Sequence, residues 1–169
     1  MSTYESLNQQ IDRGAIECLN ESAVRKVTNI LTSGIDSFLE SGEGEQLLIK
    51  FRFLNPVKID SIIVKGLPNG VESGTAPKVV RLFANDEDID FQDAESNPCT
   101  QEIVLEEKHI RGEKLQLRFV RFQNVNSLVL FVAENHGAET TQIAHVELYG
   151  TDASCTPLEN WKPVQEGDM

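Results

Sequence analysis

The chain has 169 residues, a length that fits one domain and buries a core of ordinary size without metal or disulfide support. Apolar residues make up 40% and charged residues 25%, which is a globular composition and not a disordered one. The net charge of −12 argues against nucleic acids and anionic membranes, since both demand a basic protein surface. This charge either suits a partner with a positively charged protein surface or only maintains solubility.

The cysteines predict a reducing compartment. Cys18, Cys99 and Cys155 are far apart and odd in number, and no CxxC pair is present, which disfavours zinc knuckles and thioredoxin-type redox chemistry. Residues 1–20 are polar and carry no apolar core of a secretory signal, and no apolar run is long enough to span a membrane. We therefore expect a protein of the cytoplasm and nucleus.

The first forty residues predict little regular structure. Residues 1–14 are polar and predict an N-terminal arm, either ordered or a short helix. One helix is predicted over residues 23–31, where Val24, Val27 and Leu31 recur at helical spacing and Ser22 caps the start. A short strand is predicted at Phe38 and Leu39.

The rest of the chain predicts strands. Residues 47–53 alternate apolar and mostly polar side chains, and Asn55-Pro56 is expected to end that strand before a second one over 57–64. Further strands are predicted at 78–84, 101–105, 114–120, 128–133 and 142–149. Seven or eight short strands with one short helix indicate an all-β antiparallel sandwich or jelly roll. The expected core comprises Leu47, Ile49, Phe51, Ile59, Val64, Leu82, Leu117, Phe119, Leu130, Val132 and Leu148.

An acidic segment follows the third predicted strand and extends past the fourth. Residues 85–107 contain nine Asp or Glu and no Lys or Arg. Asp86, Asp88 and Asp90 alternate like the start of a calcium loop, but Phe91 stands where an EF-hand needs glycine. The pattern favours a solvated loop held down by Ile89 and Phe91, and weak cation binding remains an alternative.

The pattern of the remaining polar residues offers no catalytic arrangement. His109, His136 and His145 lie in separate elements without metal-ligand spacing, and no nucleophile elbow or phosphate-binding loop is present. Basic residues interleaved with aromatics over 108–122 would suit nucleic acid, yet the overall acidity outweighs them.

In the C-terminal segment, Trp161 and Pro163 either fold back onto the sandwich or anchor a partner.

Four blocks, in order, resemble the PITH domain family. They are ECLNE at 17–21, LES with EQLLI at 39–49, DFQDAES at 90–96, and LRFVRFQNV with SLVLFV at 117–132, the last of which looks like two consecutive apolar strands. The resemblance covers most of the chain and places the domain at residues 15–150, with a tail at 151–169. It implies a galactose-binding-like jelly roll, and docking to the regulatory particle of the 26S proteasome. The family is best known fused to a thioredoxin domain; the initial Met1 and the absent CxxC favour its thioredoxin-free branch.

These observations predict a monomeric, non-catalytic protein-interaction module that needs no cofactor or metal. We expect the partner to be bound by the charged residues Asp86, Asp88 and Asp90 and by an apolar anchor at Trp161 and Pro163. The alternative function is a lectin-like module that binds carbohydrate or another small ligand. No arrangement of residues in the sequence supports a catalytic function.

Overall fold

The computed structural model of the protein describes residues 4–31 and 37–153. The strands are β1 (Glu5–Ser6), β2 (Glu17–Leu19), β3 (Leu39–Glu40), β4 (Leu47–Lys65), β5 (Pro77–Ala84), β6 (Gln101–Val104), β7 (Leu115–Gln116), β8 (Val125–Asn135), β9 (Gln142–Ile143) and β10 (His145–Asp152). Three short α-helices are α1 (Gly70–Ser73), α2 (Phe91–Ser96) and α3 (Glu107–Ile110), and 3₁₀ turns occupy Asn8–Gln10, Val27–Leu31 and Phe119–Arg121. Nearly all regular structure is antiparallel sheet, as the sequence predicts.

The 19-residue strand β4 joins the two layers of the sandwich. Its first part pairs with β2 and β8, and its second part pairs with β7 and β10. The main path of the sheet is β1-β10-β4-β8-β5-β6, and β3 pairs with β9 separately. Because period-two alternation directs one face of each half inward, Ile49 and Phe51 share a core with Ile59 and Leu148. The antiparallel β-sandwich predicted from the sequence is confirmed.

The predicted break at Asn55-Pro56 is wrong. Pairing with β8 passes from Arg52 opposite Ser127 to Val57 opposite Val125, so the intervening residues of β4 form an irregularity inside one strand. Proline has no N–H to donate to a ladder, and an exposed bulge is a place where a strand tolerates it. The strand therefore bends between the layers where the sequence predicted that it would end.

The strand predicted over residues 114–120 is also wrong in most of its length. Only Leu115–Gln116 pair with β4, and the chain then turns through the 3₁₀ helix Phe119–Arg121. Phe119, predicted to lie in the core, is half-buried with its ring centroid 5.5 Å from that of Tyr4. The turn instead directs Phe122 inward, and Gln123 Nε2 donates to the Phe119 carbonyl at 2.6 Å. The other ten predicted core residues are buried.

The helix predicted over residues 23–31 is a 3₁₀ turn at Val27–Leu31. Ser22 Oγ accepts from the Arg25 amide at 2.8 Å, and Glu21 Oε1 accepts from the Val27 amide at 2.8 Å. The Ser22 contact is the N-cap contact that the sequence predicts, yet the helical turn begins only at Val27, and Val24 is left 82% exposed.

The N-terminal residues contribute to the sandwich. Leu7 and Ile11 belong to the main core, and β1 pairs with β10. At the other end β10 continues to Asp152, beyond the predicted limit at Gly150. The domain boundaries at residues 14 and 150 remain predictions.

Candidate functional site: the acidic loop and its surroundings

The acidic loop, residues 86–90, begins at an asparagine that fixes its direction. Asn85 has a left-handed backbone with φ of 61°, a conformation that asparagine tolerates better than most residues. Its side-chain Oδ1 accepts from the Asn126 amide at 2.7 Å, and its Nδ2 donates to the Asn124 carbonyl at 2.9 Å. The loop is thereby tied to the start of β8.

The loop ends in a capped helix where the sequence predicted only a solvated segment. Asp90 Oδ1 accepts from the Asp93 amide at 2.9 Å, and Asp93 Oδ2 accepts from the Asp90 amide at 3.3 Å. This reciprocal capping box satisfies two amides at the start of α2. One oxygen of the Asp90 carboxylate is therefore engaged in holding the fold.

Arg81 of β5 holds the other end of α2. Its guanidinium donates to the carbonyls of Ala94, of Glu95 at 3.1 Å and of Asn97 at 2.8 Å. A cation at the carboxyl end of a helix also complements the helix dipole. The helix packs on the outer face of the sheet, where Ile89 and Ala94 join a second apolar cluster with Leu48, Phe83, Val129 and Phe131. Phe91 is partly buried and packs against that cluster. Ile89 and Phe91 therefore both attach the loop to the sheet, as the sequence predicts.

Asp86 and Asp88 are the carboxylates of the loop that remain available to a partner. Both are exposed and form no ion pair with a described residue. Glu87 between them pairs with Arg52 of β4, and this hydrogen bond raises the pKa of Arg52. The structure thus brings Asp86, Asp88 and Asp90 together on one loop. Trp161 and Pro163, the other nominated binding residues, lie outside the described residues.

The histidines and the described cysteines occupy separate places. His109 Nδ1 accepts from the Glu106 amide at 3.0 Å at the start of α3, while His145 lies on β10 with Nε2 2.5 Å from Glu147. Burial, reinforced by the charge of Glu21, raises the pKa of the Cys18 thiol to about 12, which opposes nucleophilic reactivity at neutral pH. Among the described residues, no group of three or more His, Cys, Asp or Glu is placed to hold a metal ion.

A cavity of about 330 Å³ lies between the segment after β4 and α3. Leu67, Val71 and Ile110 line it together with charged side chains of both signs, and its lining contains no aromatic residue. Sugars are commonly bound by stacking on aromatic rings, so this cavity offers no support for the carbohydrate alternative. No helix in the described part of the chain is long and apolar enough to cross a membrane.

Sequence reasoning missed the residues that shape the site. Arg81 looked like an ordinary strand residue, and Asn85 like one member of an acidic run. The recurrence of Asp at 90 and 93 before an apolar position was a usable capping signal, since such pairs mark helix starts. The partners of Arg81 and Asn85 are distant in sequence, so no local pattern identified them.

Solved structures with this architecture place the chain among galactose-binding-like β-sandwiches. The CBM32-1 and CBM32-2 domains of Clostridium perfringens ZmpB, in complex with GalNAc, align with a TM-score of 0.68 at 10% identity, covering 89% of this chain and 37% of that one. The family 32 CBM of C. perfringens NanJ, in complex with galactose, aligns with a TM-score of 0.65 at 9% identity, covering 86% and 98%. At such low identity the likeness concerns the fold alone.

Within this class the chain belongs to the PITH domain family, whose model matches residues 1–162. It is 40% identical over 151 residues to thioredoxin-like protein 1 of Schizosaccharomyces pombe, covering 87% of this chain and 51% of that protein. It is 34% identical over 154 residues to PITH domain-containing protein 1 of Dictyostelium discoideum, covering 88% and 74%. The chain thus spans about half the length of the thioredoxin-like relative.

Proposed function

We propose that this protein is a non-catalytic interaction module that docks, as a monomer, on the regulatory particle of the 26S proteasome. The observation that carries the proposal is a loop fixed at both ends, on a protein of net charge −12, in which the exposed Asp86 and Asp88 form no ion pair with a described residue. Membership of the PITH family supplies the choice of partner. We propose a location in the cytoplasm and nucleus, on the cysteine pattern and the polar N-terminal residues of the sequence.

The loop suits docking because its ends are fixed before a partner arrives. Asn85 ties one end to β8, and the capping box with Arg81 fixes the other. A preorganised loop loses little conformational entropy on binding. Its carboxylates attract a basic surface, which raises the association rate at low ionic strength. The C-terminal residues Trp161 and Pro163 are proposed as a second, apolar contact.

The test is co-sedimentation of the purified protein with 26S proteasomes at low and high salt. Docking through the loop predicts that Asp86→Asn with Asp88→Asn weakens binding at low salt. It also predicts that added salt weakens binding of the wild type, because exposed charges more than about 10 Å apart are largely screened at 0.1 M ionic strength. A truncation before Thr156 tests the C-terminal contact. The matched control neutralises Glu134 and Glu139, which are also exposed acids but lie outside the loop.

No co-sedimentation at any salt concentration would reject the proteasome as partner. Binding that is unaffected by the double variant and by the truncation would retain the partner and reject both proposed contacts. If the variant that neutralises Glu134 and Glu139 also loses binding, the affinity depends on the net charge of the protein and not on the loop.

A further inference from the structure

A groove runs along the outer face of the sheet beside the acidic loop. Leu19 of β2 lies opposite Leu48 of β4, and Leu48 lies opposite Phe131 of β8. Opposed residues of antiparallel strands share a face, so these three side chains form one apolar row. Phe91 of α2 packs against Phe131 with ring centroids 6.0 Å apart. The helix therefore covers the β8 side of this row and leaves Leu19 uncovered, 37% exposed.

Between Leu19 and Phe91 the groove widens into an open cavity of about 780 Å³. Its apolar walls are these two side chains, and its polar wall is the segment 43–46 that precedes β4. Asn20 holds that segment in place: its Nδ2 donates to the carbonyls of Glu43 at 2.7 Å and Gln46 at 2.8 Å. The cavity is thus formed by fixed elements on both sides.

The charge of this cavity is negative. Glu43 and Glu45 line it, and no cationic side chain does. Glu45 Oε1 already accepts from the Asn135 amide at 2.8 Å, whereas the Glu43 carboxylate is exposed and forms no ion pair with a described residue. A smaller cavity of about 220 Å³ at the other end of the groove differs, because Lys50 and Arg52 line it with Glu17 and Glu87. Of these two cavities, the one at Glu43 has a lining whose charge favours a cation.

The edge of β2 offers backbone contacts along the same groove. Strand β2 pairs with β4, and no described strand pairs with its second edge. An extended partner segment added at this edge would make main-chain hydrogen bonds and direct every second side chain toward the groove. Leu19 and Glu17 already point that way, in register with Leu48 and Lys50.

We propose that this groove binds an extended segment of a protein partner and that the cavity between Leu19 and Phe91 receives an arginine side chain from it. The aliphatic stem of arginine packs on Leu19, and its planar guanidinium stacks on the Phe91 ring and meets the Glu43 carboxylate. The inference rests on the proposed docking function and names the chemistry that the partner presents. It also extends the contact from the acidic loop to β2.

The experiment selects peptides from a random nonapeptide library on the immobilised full-length protein. Arginine is expected to be enriched at one position of the recovered peptides. Anisotropy titrations then compare one recovered, fluorescently labelled peptide with the same peptide carrying citrulline, which is neutral and nearly isosteric, in place of arginine. Loss of the charge is expected to weaken binding about tenfold, as for other charge-assisted contacts.

Protein variants locate the contact. Glu43→Gln and Leu19→Ser, both exposed positions, are each expected to weaken binding about fivefold, and Phe91→Ala at least as much. The matched controls Glu139→Gln and Val104→Ser alter an exposed acid and an exposed apolar residue away from the groove. Recovery of peptides without basic enrichment, or equal affinity of wild type, Glu43→Gln and Leu19→Ser, would overturn the inference.

The same variants separate this inference from the choice of partner. Arginine selectivity at the groove without co-sedimentation with proteasomes would leave the groove established and reject the proteasome. Co-sedimentation that Glu43→Gln and Leu19→Ser leave unchanged, with no basic enrichment among peptides, would reject the groove and leave the proteasome as partner.

Discussion

Two asparagines with positive φ hold the loops on either side of the proposed contact surface. Asn20, with φ of 74°, binds the segment that precedes β4, and Asn85, with φ of 61°, binds the start of β8. Both side chains use their carbonyl oxygen and their amide nitrogen, so each replaces a pair of backbone contacts at a turn. Residues of this kind fix surface loops without contributing to the apolar core.

Cys18 gives the stability of the protein a specific dependence on alkaline pH. Burial raises its pKa from 9.0 to about 12, so above pH 9 the thiol ionises in the unfolded chain before it does so in the folded protein. The folded state then binds more protons, and its stability falls as the pH rises. We expect the wild type to lose up to about 1.4 kcal/mol per pH unit more than Cys18→Ala in this window.

Urea denaturation of both proteins at pH 8 and pH 10 measures this difference. The Cys18→Ala protein retains Cys99 and all other titrating groups, so subtracting its pH dependence isolates the thiol at position 18. Parallel loss of stability in the two proteins would show that Cys18 ionises equally well in the folded state.

At the scale of the element, the pairing of β10 with β4 depends on a glycine. The register shifts between Tyr149 and Gly150, and a Cβ at Gly150 would lie 1.8 Å from the Lys58 carbonyl oxygen. That oxygen belongs to the backbone and cannot swing aside. Gly150→Ala is therefore expected to lower the free energy of unfolding by about 3 kcal/mol or more, the upper part of the usual range for overpacking.

Chemical denaturation compares this variant with Gly14→Ala. A Cβ at Gly14 meets only the Asp12 carboxylate at 3.6 Å, an ordinary contact, so this control is expected to remain within about 1 kcal/mol of wild type. Equal stability of Gly150→Ala and wild type would mean that the two strands separate at the bulge at little cost.

Among the elements, the sequence predicted the long strands best because their side-chain alternation is local information. The period-two pattern of residues 47–53 correctly placed Leu47, Ile49 and Phe51 in the core. The short strand β2 escaped prediction since three residues carry no measurable period, and it exists through pairing with β4. Helix α2 likewise depends on Arg81, thirteen residues before the first carbonyl that it binds.

At the scale of the whole molecule, one core connects both layers of the sandwich. It includes side chains from β4, β5, β8 and β10, together with Leu7 and Ile11 from the N-terminal residues. Such a shared core predicts a single cooperative unfolding transition. Phe51 is 1% exposed in it, so Phe51→Ala is expected to lower the free energy of unfolding by about 3–5 kcal/mol through lost burial and the cavity left behind.

Thermal unfolding followed by far-UV circular dichroism tests both statements. The spectrum is expected to be that of a β protein, and Phe51→Ala is expected to shift the whole transition. Val120→Ala is the control, because Val120 is 83% exposed and its truncation should change stability by less than about 0.5 kcal/mol. An unchanged transition in Phe51→Ala, or separate transitions for the two layers, would contradict the shared core.

The sequence by itself determined the fold class, the positions of most core residues, the acidic character and the family. The fold class, the core positions and the acidity depend on composition or on spacing between near neighbours, and the family was identified by its resemblance to known sequence blocks. The tertiary structure decided that β4 bends at Pro56 without ending, that residues 117–122 turn instead of continuing as a strand, and that β2 and α2 border a groove. The physical reason is that bends, caps and grooves depend on contacts between backbone groups and side chains that are distant in sequence. The alternation of apolar and polar residues along one segment contains no information about those contacts.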